Sequence, residues 1–325
     1  MAFTTIDDPS GTSFDTALYT GNQTARTITI GFQPDWVWTK ARNSAHHHIT
    51  TDAVTGAGKR LRPSATNNQG TNTASVASFV STGYTLTDDV TINGNSENNV
   101  SFSWKEGATQ GFDILTYTGN GGTQNISHNL SAVPEFIIGK QTSGSSNGWG
   151  IYHVATGNTK CFEFDNNAPS TATAFWNDTT PTSSVFSLGD SGRLNQSSES
   201  YVAYVFAPIK GFSSFGTYKG NNDNNGIYVH CGFTPAFVWI RRFDSGDDWK
   251  MVTRKIDGFN PMNKSVKSNS SVTEATESDH AIDFTAMGFK LRENNSAFNG
   301  SGDYLYCAWA ESPMVNSNGN PNTAK

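Results

Sequence analysis

The chain has 325 residues, of which 35% are hydrophobic, 12% are aromatic and only 15% are charged, and its formal net charge is −6. The length suits two or three domains of roughly 100–150 residues, and the aromatic content excludes a disordered chain. The negative charge excludes the basic surface of a nucleic-acid-binding protein. No run approaches the roughly 18 apolar residues of a membrane-spanning helix, so we expect no membrane insertion.

Residues 1–13 are predicted to form an arm before the first strand. The opening, MAFTTIDDPSG, has neither a basic n-region nor an apolar h-region, so we expect no secretory signal peptide. The end, 313–325, is polar and rich in Pro, Gly and Asn, which predicts a flexible tail. Cys161, Cys231 and Cys307 are odd in number and far apart, which indicates small core residues and not a disulfide or zinc framework.

One phrase occurs three times, which predicts three copies of one module. FDTALYTGN at 14–22 returns as FDILTYTGN at 112–120 and as FSSFGTYKGN at 212–221. Each copy is followed by a proline, an apolar strand that ends in a cation, a GYTL-like segment and a closing aromatic strand. These landmarks recur in constant order, 98 to 103 residues apart: Tyr19, Tyr117 and Tyr218; Pro34, Pro134 and Pro235; Lys40, Lys140 and Arg241; Tyr84, Phe186 and Phe289; Trp104, Phe206 and Trp309.

The repeated elements predict an all-β chain. In DWVWTK, Trp36 and Trp38 fall on one face of a strand and Val37 on the other. Seven or so short strands per copy, separated by Gly- and Asn-rich turns, are typical of an antiparallel β-sandwich of the jelly-roll kind. We expect each module to bury its own rings and the short links to pack neighbours rigidly, either in a line or in a trimer-like ring. The three predicted tandem homologous modules span 14–107, 108–211 and 212–312.

The YTGN strand, the strand after the proline, the GF-x-L turn and the closing aromatic strand resemble a tandem-repeat module of virion proteins from tailed bacteriophages, marine ones in particular. The resemblance covers essentially the whole chain and brings no catalytic motif. It implies a non-enzymatic structural protein on the particle exterior, as a tail fibre or appendage or as a head or vertex decoration. Other virion proteins would be its partners, and a role in host attachment would fit. The second copy departs from the pattern, because it lacks the glycine that precedes the aromatic as Gly83 and Gly288 do elsewhere.

Several polar stretches match functional motifs only in part. GSSNG at 144–148 has the G-x-S-x-G spacing but lacks the strand-turn-helix context of a nucleophile elbow. TGAGKR, around Lys59, lacks the first glycine and the Ser/Thr of a P-loop. NNDNNG at 221–226 imitates a calcium loop, but Gly232 stands where its bidentate glutamate belongs. DSGDD at 244–248 gathers carboxylates without a partner. We therefore predict turns and solvated loops, with no catalytic, cofactor-binding or metal-binding residue.

AHHHIT is the most pronounced polar cluster. On a strand, His46 and His48 would share one face and His47 would lie opposite. Two imidazoles alone do not complete a metal site, so we interpret them as surface or interface histidines. Whether His46 and His48 bind a metal stays open.

Two other function classes stay open as well. Trp149, Trp176 and Trp249 lie in polar stretches, where exposed rings would suit a carbohydrate-binding adhesin that recognises host surface glycans. Buried, they would instead cap the ends of the sandwiches. A polysaccharide hydrolase needs a carboxylate pair, which the sequence does not suggest. Apart from the repeated phrase itself, the only polar position that we find in all three copies is the strand-end cation. The host receptor, the place in the virion and the oligomeric state, a homo-oligomer included, are left open.

Overall fold

The structure is a computed structural model, and it describes residues 9–164, 169–171, 173–276 and 280–310. These residues form antiparallel strands with a few short helical turns, so the prediction of an all-β antiparallel chain is confirmed. Residues 1–8 of the predicted arm and the predicted tail lie outside the described residues, whereas Pro9–Thr12 forms a helical turn, α1.

Three large sheets dominate the described residues, and each is drawn from one stretch of sequence. Strand numbers follow the chain, whereas the order of strands within each sheet is their spatial order. The first sheet contains β1 (Phe14–Thr20), β9 (Asn98–Trp104), β3 (Trp36–Ala41) and β4 (Ile49–Asp52). The second contains β10 (Phe112–Thr118), β17 (Ser200–Phe206), β12 (Phe136–Gln141) and β13 (Trp149–His153). The third contains β18 (Ser213–Lys219), β26 (Asp303–Ala310), β20 (Pro235–Arg242), β21 (Lys250–Thr253), β22 (Lys264–Lys267) and β23 (Ala275–Thr276).

A smaller sheet lies over the outer face of each large one, in a sandwich-like arrangement. These sheets contain β2 (Arg26–Thr29), β8 (Gly83–Leu86) and β7 (Val76–Val80); β11 (Gln124–Ser127) and β16 (Val185–Leu188); and β19 (Tyr228–His230), β25 (Gly288–Leu291) and β24 (Ile282–Thr285). Two short pairs are β5 (Lys59–Arg60) with β6 (Gly70–Thr71) and β14 (Lys160–Cys161) with β15 (Ser170–Thr171). The helical turns are α2 (Val90–Asn93), α3 (Thr173–Trp176), α4 (Gly192–Asn195), α5 (Arg254–Asp257) and a 3₁₀ turn at Gly157–Thr159.

Each central strand is buried on both faces because it lies between two layers. In β3, Val37 packs with the small outer sheet, whereas Trp36 and Trp38 belong to the inner core, as the alternation in DWVWTK predicts. The glycine of each TGN turn is required by close packing. A Cβ on Gly119, for example, would lie 2.3 Å from the carbonyl oxygen of Gln196, nearer than any side chain tolerates.

The inner faces of the three large sheets share one aromatic core. The closing aromatics Trp104, Phe206 and Trp309 all touch one another, with ring centroids 5.5–6.4 Å apart and interplanar angles of 68–73°. Edge-to-face contacts at this distance are favourable for aromatic rings. We call these three rings the aromatic triad. Because each ring comes from a different sheet, the expectation that every module buries its own rings is wrong for the inner core.

Further contacts between aromatic side chains link each large sheet to the other two. Trp36 of the first sheet stacks on Tyr204 of the second at 4.4 Å, and Phe136 of the second lies 5.7 Å from Trp239 of the third. Trp38 of the first sheet is 5.1 Å from that same Trp239. Since the first and third sheets touch, the three sheets form a ring and not a line.

Hydrogen bonds join the sheets at their seams. Between the first and second, the Tyr204 hydroxyl donates to Asp52 Oδ2 at 2.9 Å. Between the second and third, His153 Nε2 donates to the carbonyl of Tyr306 at 3.2 Å, and burial lowers the pKa of His153 to about 4. Between the first and third, Arg42 and Glu274 form a two-pronged ion pair at 2.6 and 3.1 Å.

The assembly has two distinct ends. The aromatic triad lies at the end where the described chain enters through α1 and leaves through β26, which we call the entry end. The loops after β3, β12 and β20 lie at the opposite end of the strands, the far end. The entry end therefore also contains both links between large sheets, at 105–111 and 207–212.

We expect the aromatic triad to couple the sheets energetically. Trp104→Ala and Phe206→Ala should each lower the free energy of unfolding by about 3–5 kcal/mol. Their double-mutant cycle should give a coupling of about 0.5–1.5 kcal/mol, because the two rings touch. Denaturant unfolding measures all three variants. Tyr228, 47% exposed in β19, provides the control, and Tyr228→Ala should add to Trp104→Ala without coupling. A coupling of zero between Trp104 and Phe206 would contradict the shared core.

Candidate functional site

The strand-end cation is buried in all three sheets. Lys40, Lys140 and Arg241 expose at most 1% of their surface. Lys140 Nζ donates to the carbonyl of Thr66 at 2.9 Å, and Arg241 Nη1 donates to that of Glu163 at 3.1 Å. Both bonds cross a seam. Burial lowers the pKa of Lys40 to about 8 and that of Arg241 to about 10. The cation at this recurrent position therefore holds loops at the far end in place, because it donates hydrogen bonds to their backbone carbonyls.

A second polar position recurs, although the sequence pattern did not reveal it. Asn93, Asn195 and Asn299 are fully buried, and each accepts a hydrogen bond at Oδ1 from the first backbone N–H after the TGN or KGN glycine. The amide nitrogen of each donates to backbone carbonyls of the surrounding loops. The residues on either side differ in each copy, ING, LNQ and FNG, and conceal the repeat.

A tyrosine hydroxyl supports each of these asparagines. Tyr19, Tyr117 and Tyr218 each donate at 2.7 Å to the carbonyl of the residue that precedes the asparagine. Burial raises the pKa of Tyr117 well above its usual range, so the phenol stays a donor. Tyrosine and asparagine together hold a helical turn or loop against the first strand at the far end.

Removal of one asparagine side chain should destabilise the protein. Asn195→Ala leaves buried N–H and carbonyl groups without partners, and we expect a loss of about 2–3 kcal/mol in the free energy of unfolding. Thermal and denaturant unfolding would measure it. The matched control is Asn129→Ala in the exposed loop after β11, which should change stability by less than about 0.5 kcal/mol. Equal effects of the two substitutions would contradict this role.

The structure does not bring His46 and His48 together as the strand pattern predicts. Residues 43–48 form a loop, and β4 begins only at Ile49, so strand alternation does not apply. His48 is fully buried, with its Nδ1 accepting from Trp38 Nε1 at 2.8 Å. His46 Nε2 instead lies 3.1 Å from Glu97 Oε1. Burial and the nearby Lys40 cation lower the pKa of His48. Among the described residues no cluster of three or more His, Cys, Asp or Glu side chains is arranged to hold a metal ion.

The three tryptophans considered as sugar platforms are buried, as the alternative interpretation requires, so their rings offer no exposed face to a sugar. Trp149, Trp176 and Trp249 expose at most 1% of their surface. Trp149 Nε1 donates across a seam to the carbonyl of Arg62 at 3.2 Å, and Trp249 lies 5.8 Å from the ring of Phe162, which follows β14. These rings reach the core from strand and helix ends, so they are buried although their neighbours in sequence are polar.

The partial motifs lie in loops, turns and short strands. Residues 144–148 connect β12 and β13, and Lys59 lies in β5. At 221–226, side-chain oxygens accept from backbone N–H groups two residues further on, which is typical of Asx turns. Two of the carboxylates at 244–248 pair with nearby cations, Asp244 with Arg242 and Asp248 with Lys267. Of the cysteines, Cys161 and Cys307 are buried and Cys231 is partly exposed.

A group of carboxyl side chains lies at the entry end, where the first sheet leads into the second. The backbone N–H of Glu106 donates to Asp35 Oδ2 at 2.8 Å, and Glu106 Oε1 accepts from the N–H of Ile114 at 3.1 Å. Burial, with a contribution from nearby Asp113 and Asp35, raises the pKa of Glu106 to about 7. Burial also raises the pKa of Asp35. This link therefore changes charge near neutral pH.

The Glu106 pKa predicts a loss of stability as the pH rises. A carboxyl whose pKa is higher in the folded state contributes fully below its unfolded value, near 4.5, and loses that contribution as the pH passes about 7. We expect about 1 kcal/mol over this range, since the side chain is partly exposed and screened. Unfolding measured from pH 4 to pH 8 should show a flatter profile for Glu106→Gln than for the native chain. Asp88→Asn, at an exposed carboxyl, should leave the profile unchanged, and identical profiles for all three proteins would contradict the assignment.

The interior of the first sandwich is unusually polar. The Tyr84 hydroxyl lies beside Thr39 and Ser101, yet none of these three hydroxyls reaches hydrogen-bonding geometry with another described residue. In the second sheet, Gly139 and Ala203 occupy the register positions that Thr39 and Ser101 occupy in the first sheet. The first sandwich therefore has hydroxyl groups at two positions where the second has a glycine and a methyl group.

Comparison with known proteins adds one family and no activity. The chain belongs to the family described as "Domain of unknown function (DUF7483)", whose model matches residues 8–313. This match spans all three large sheets. No curated protein matches the chain. Among the described residues, the structure has no helix that is both long enough and apolar enough to cross a membrane.

Proposed function

We propose that this protein is a non-enzymatic structural protein on the exterior of a tailed-phage virion, as a tail fibre or appendage or as a head or vertex decoration. The observation that carries the proposal is the closed ring of three sheets around the aromatic triad. Such a body is rigid, since no sheet can move without exposing rings of the other two. Rigidity of this kind suits a particle component that withstands mechanical load.

We further infer that the chain is three tandem homologous β-sandwich modules at 14–107, 108–211 and 212–312. Three observations support this inference. In each large sheet, the first strand in sequence pairs with the last strand of the same stretch, and that last strand pairs with the strand that carries the buried cation. The strand-end cation is buried in each sheet, and the tyrosine–asparagine pair occupies the same place in each.

The two ends of the body suit different roles. The described chain enters and leaves at the entry end, so the predicted arm at 1–13 and the tail at 313–325 would attach the protein to neighbouring virion proteins there. The far end presents loops rich in Asn, Ser, Thr and Gly. The recurrent polar side chains hold these loops in place, and this is a scaffolding role.

A carbohydrate-binding adhesin is the second candidate. Recognition of host glycans would use the far end, away from the particle. The three buried tryptophans cannot serve it, so it requires another polar surface.

Whole-particle imaging tests the proposal. In a reconstruction of purified particles, we expect density for a three-lobed body on the exterior, with its entry end toward the particle. Gold-labelled antibodies against the folded chain should bind intact particles. Absence of the chain from purified particles, or labelling only after the particles are opened, would refute the proposal.

A further inference from the structure

The seam between the first and third sheets forms a polar groove at the far end. Its volume is about 310 Å³, and its lining is Arg42, Asn43, Asn98, Thr273 and Glu274. This volume lies at the lower end of the range for small-molecule sites, roughly 300–1,000 Å³. All five lining residues are polar or charged. The groove exists because the third sheet extends through β22 to β23, which brings Glu274 against the first sheet.

The walls of this groove are held in fixed positions. Arg42 and Glu274 are joined through their side chains and also by a backbone bond, from Glu274 N–H to the Arg42 carbonyl at 2.7 Å. The backbone N–H of Asn98 donates to Asn43 Oδ1 at 2.9 Å, and Asn98 Oδ1 accepts from the Thr20 hydroxyl at 3.2 Å. Ligand binding would thus require little ordering of the side chains.

Several hydrogen-bonding groups of the groove are free within the described residues. Arg42 uses Nε and Nη2 for its ion pair, which leaves Nη1 available. The amide nitrogens of Asn43 and Asn98 and the Thr273 hydroxyl have no partner in the described part of the chain, and all three residues are exposed. Each Glu274 carboxylate oxygen keeps a further lone pair. The groove therefore offers several donors beside one strong acceptor.

We propose that this groove binds a neutral saccharide through adjacent hydroxyl groups. A sugar hydroxyl both donates and accepts, so it can donate to Glu274 while it accepts from Arg42, Asn98 or Thr273. Glu274 neutralises Arg42, which disfavours a phosphate, a sulfate or an acidic sugar. The polar lining offers no anchor for an apolar peptide side chain. This inference places glycan recognition, the second candidate function, in this groove. It rests on the proposal that the far end faces away from the particle.

A glycan array probed with the folded full chain, followed by calorimetric titration of the best neutral oligosaccharide, tests the proposal. Thr273→Val removes one free hydroxyl without touching the seam, and we expect about three- to tenfold weaker binding. Arg42→Lys replaces the planar guanidinium, with its several fixed N–H donors, by a single ammonium group, and it should weaken binding about 10- to 100-fold. Binding to the native chain should be unchanged by a roughly tenfold increase in salt, because the ligand is neutral.

The matched control is Arg242→Lys. Arg242 forms a similar two-pronged pair with Asp244 at the far end but outside the groove, so binding should be unaffected. Thermal unfolding of each variant shows whether the seam stays closed. Three results would overturn the proposal: no neutral glycan bound, binding that survives both groove substitutions, or salt-sensitive binding of acidic glycans only. None of these depends on where the chain lies in a particle, so particle imaging and glycan binding can fail separately.

Discussion

The contact among Trp104, Phe206 and Trp309 is the constraint on which the architecture depends. Each large sheet has an outer face covered by its own small sheet and an inner face lined with rings. A four-stranded sheet cannot bury that inner face by itself, and a line of three would leave the outermost rings in water. A closed ring lets each inner face be covered by the other two. The seams, the buried cations and the far-end loops all follow from this closure.

Local features of the fold were predictable because they depend on neighbouring residues. The alternation of Trp36, Val37 and Trp38 indicates the two faces of β3, and the TGN glycine indicates a close turn. The partners of those rings were not predictable. A ring on one face of a strand can pack against its own copy or another copy of the repeat, and both choices give the same pattern. The ring of sheets therefore emerges only from the three-dimensional structure.

Polar positions were harder to predict, for two different reasons. Asn93, Asn195 and Asn299 do recur, but their neighbours differ, so only an alignment anchored on the flanking strands would find them. Arg42 and Glu274 are 232 residues apart and meet at one seam only, so no repeat could reveal them. For the three tryptophans the sequence left exposure and burial open, because polar neighbours flank rings that the fold buries.

The groove at the first–third seam occurs once in the described part of the chain. In a trimer of identical chains, any site at a subunit boundary is present three times and gains avidity when its targets are clustered. Here three large sheets lie in one chain, and among the described residues only one boundary has the Arg42–Glu274 geometry. The described part of the chain therefore offers this groove once, and multivalent attachment through it would depend on how many copies a larger assembly displays.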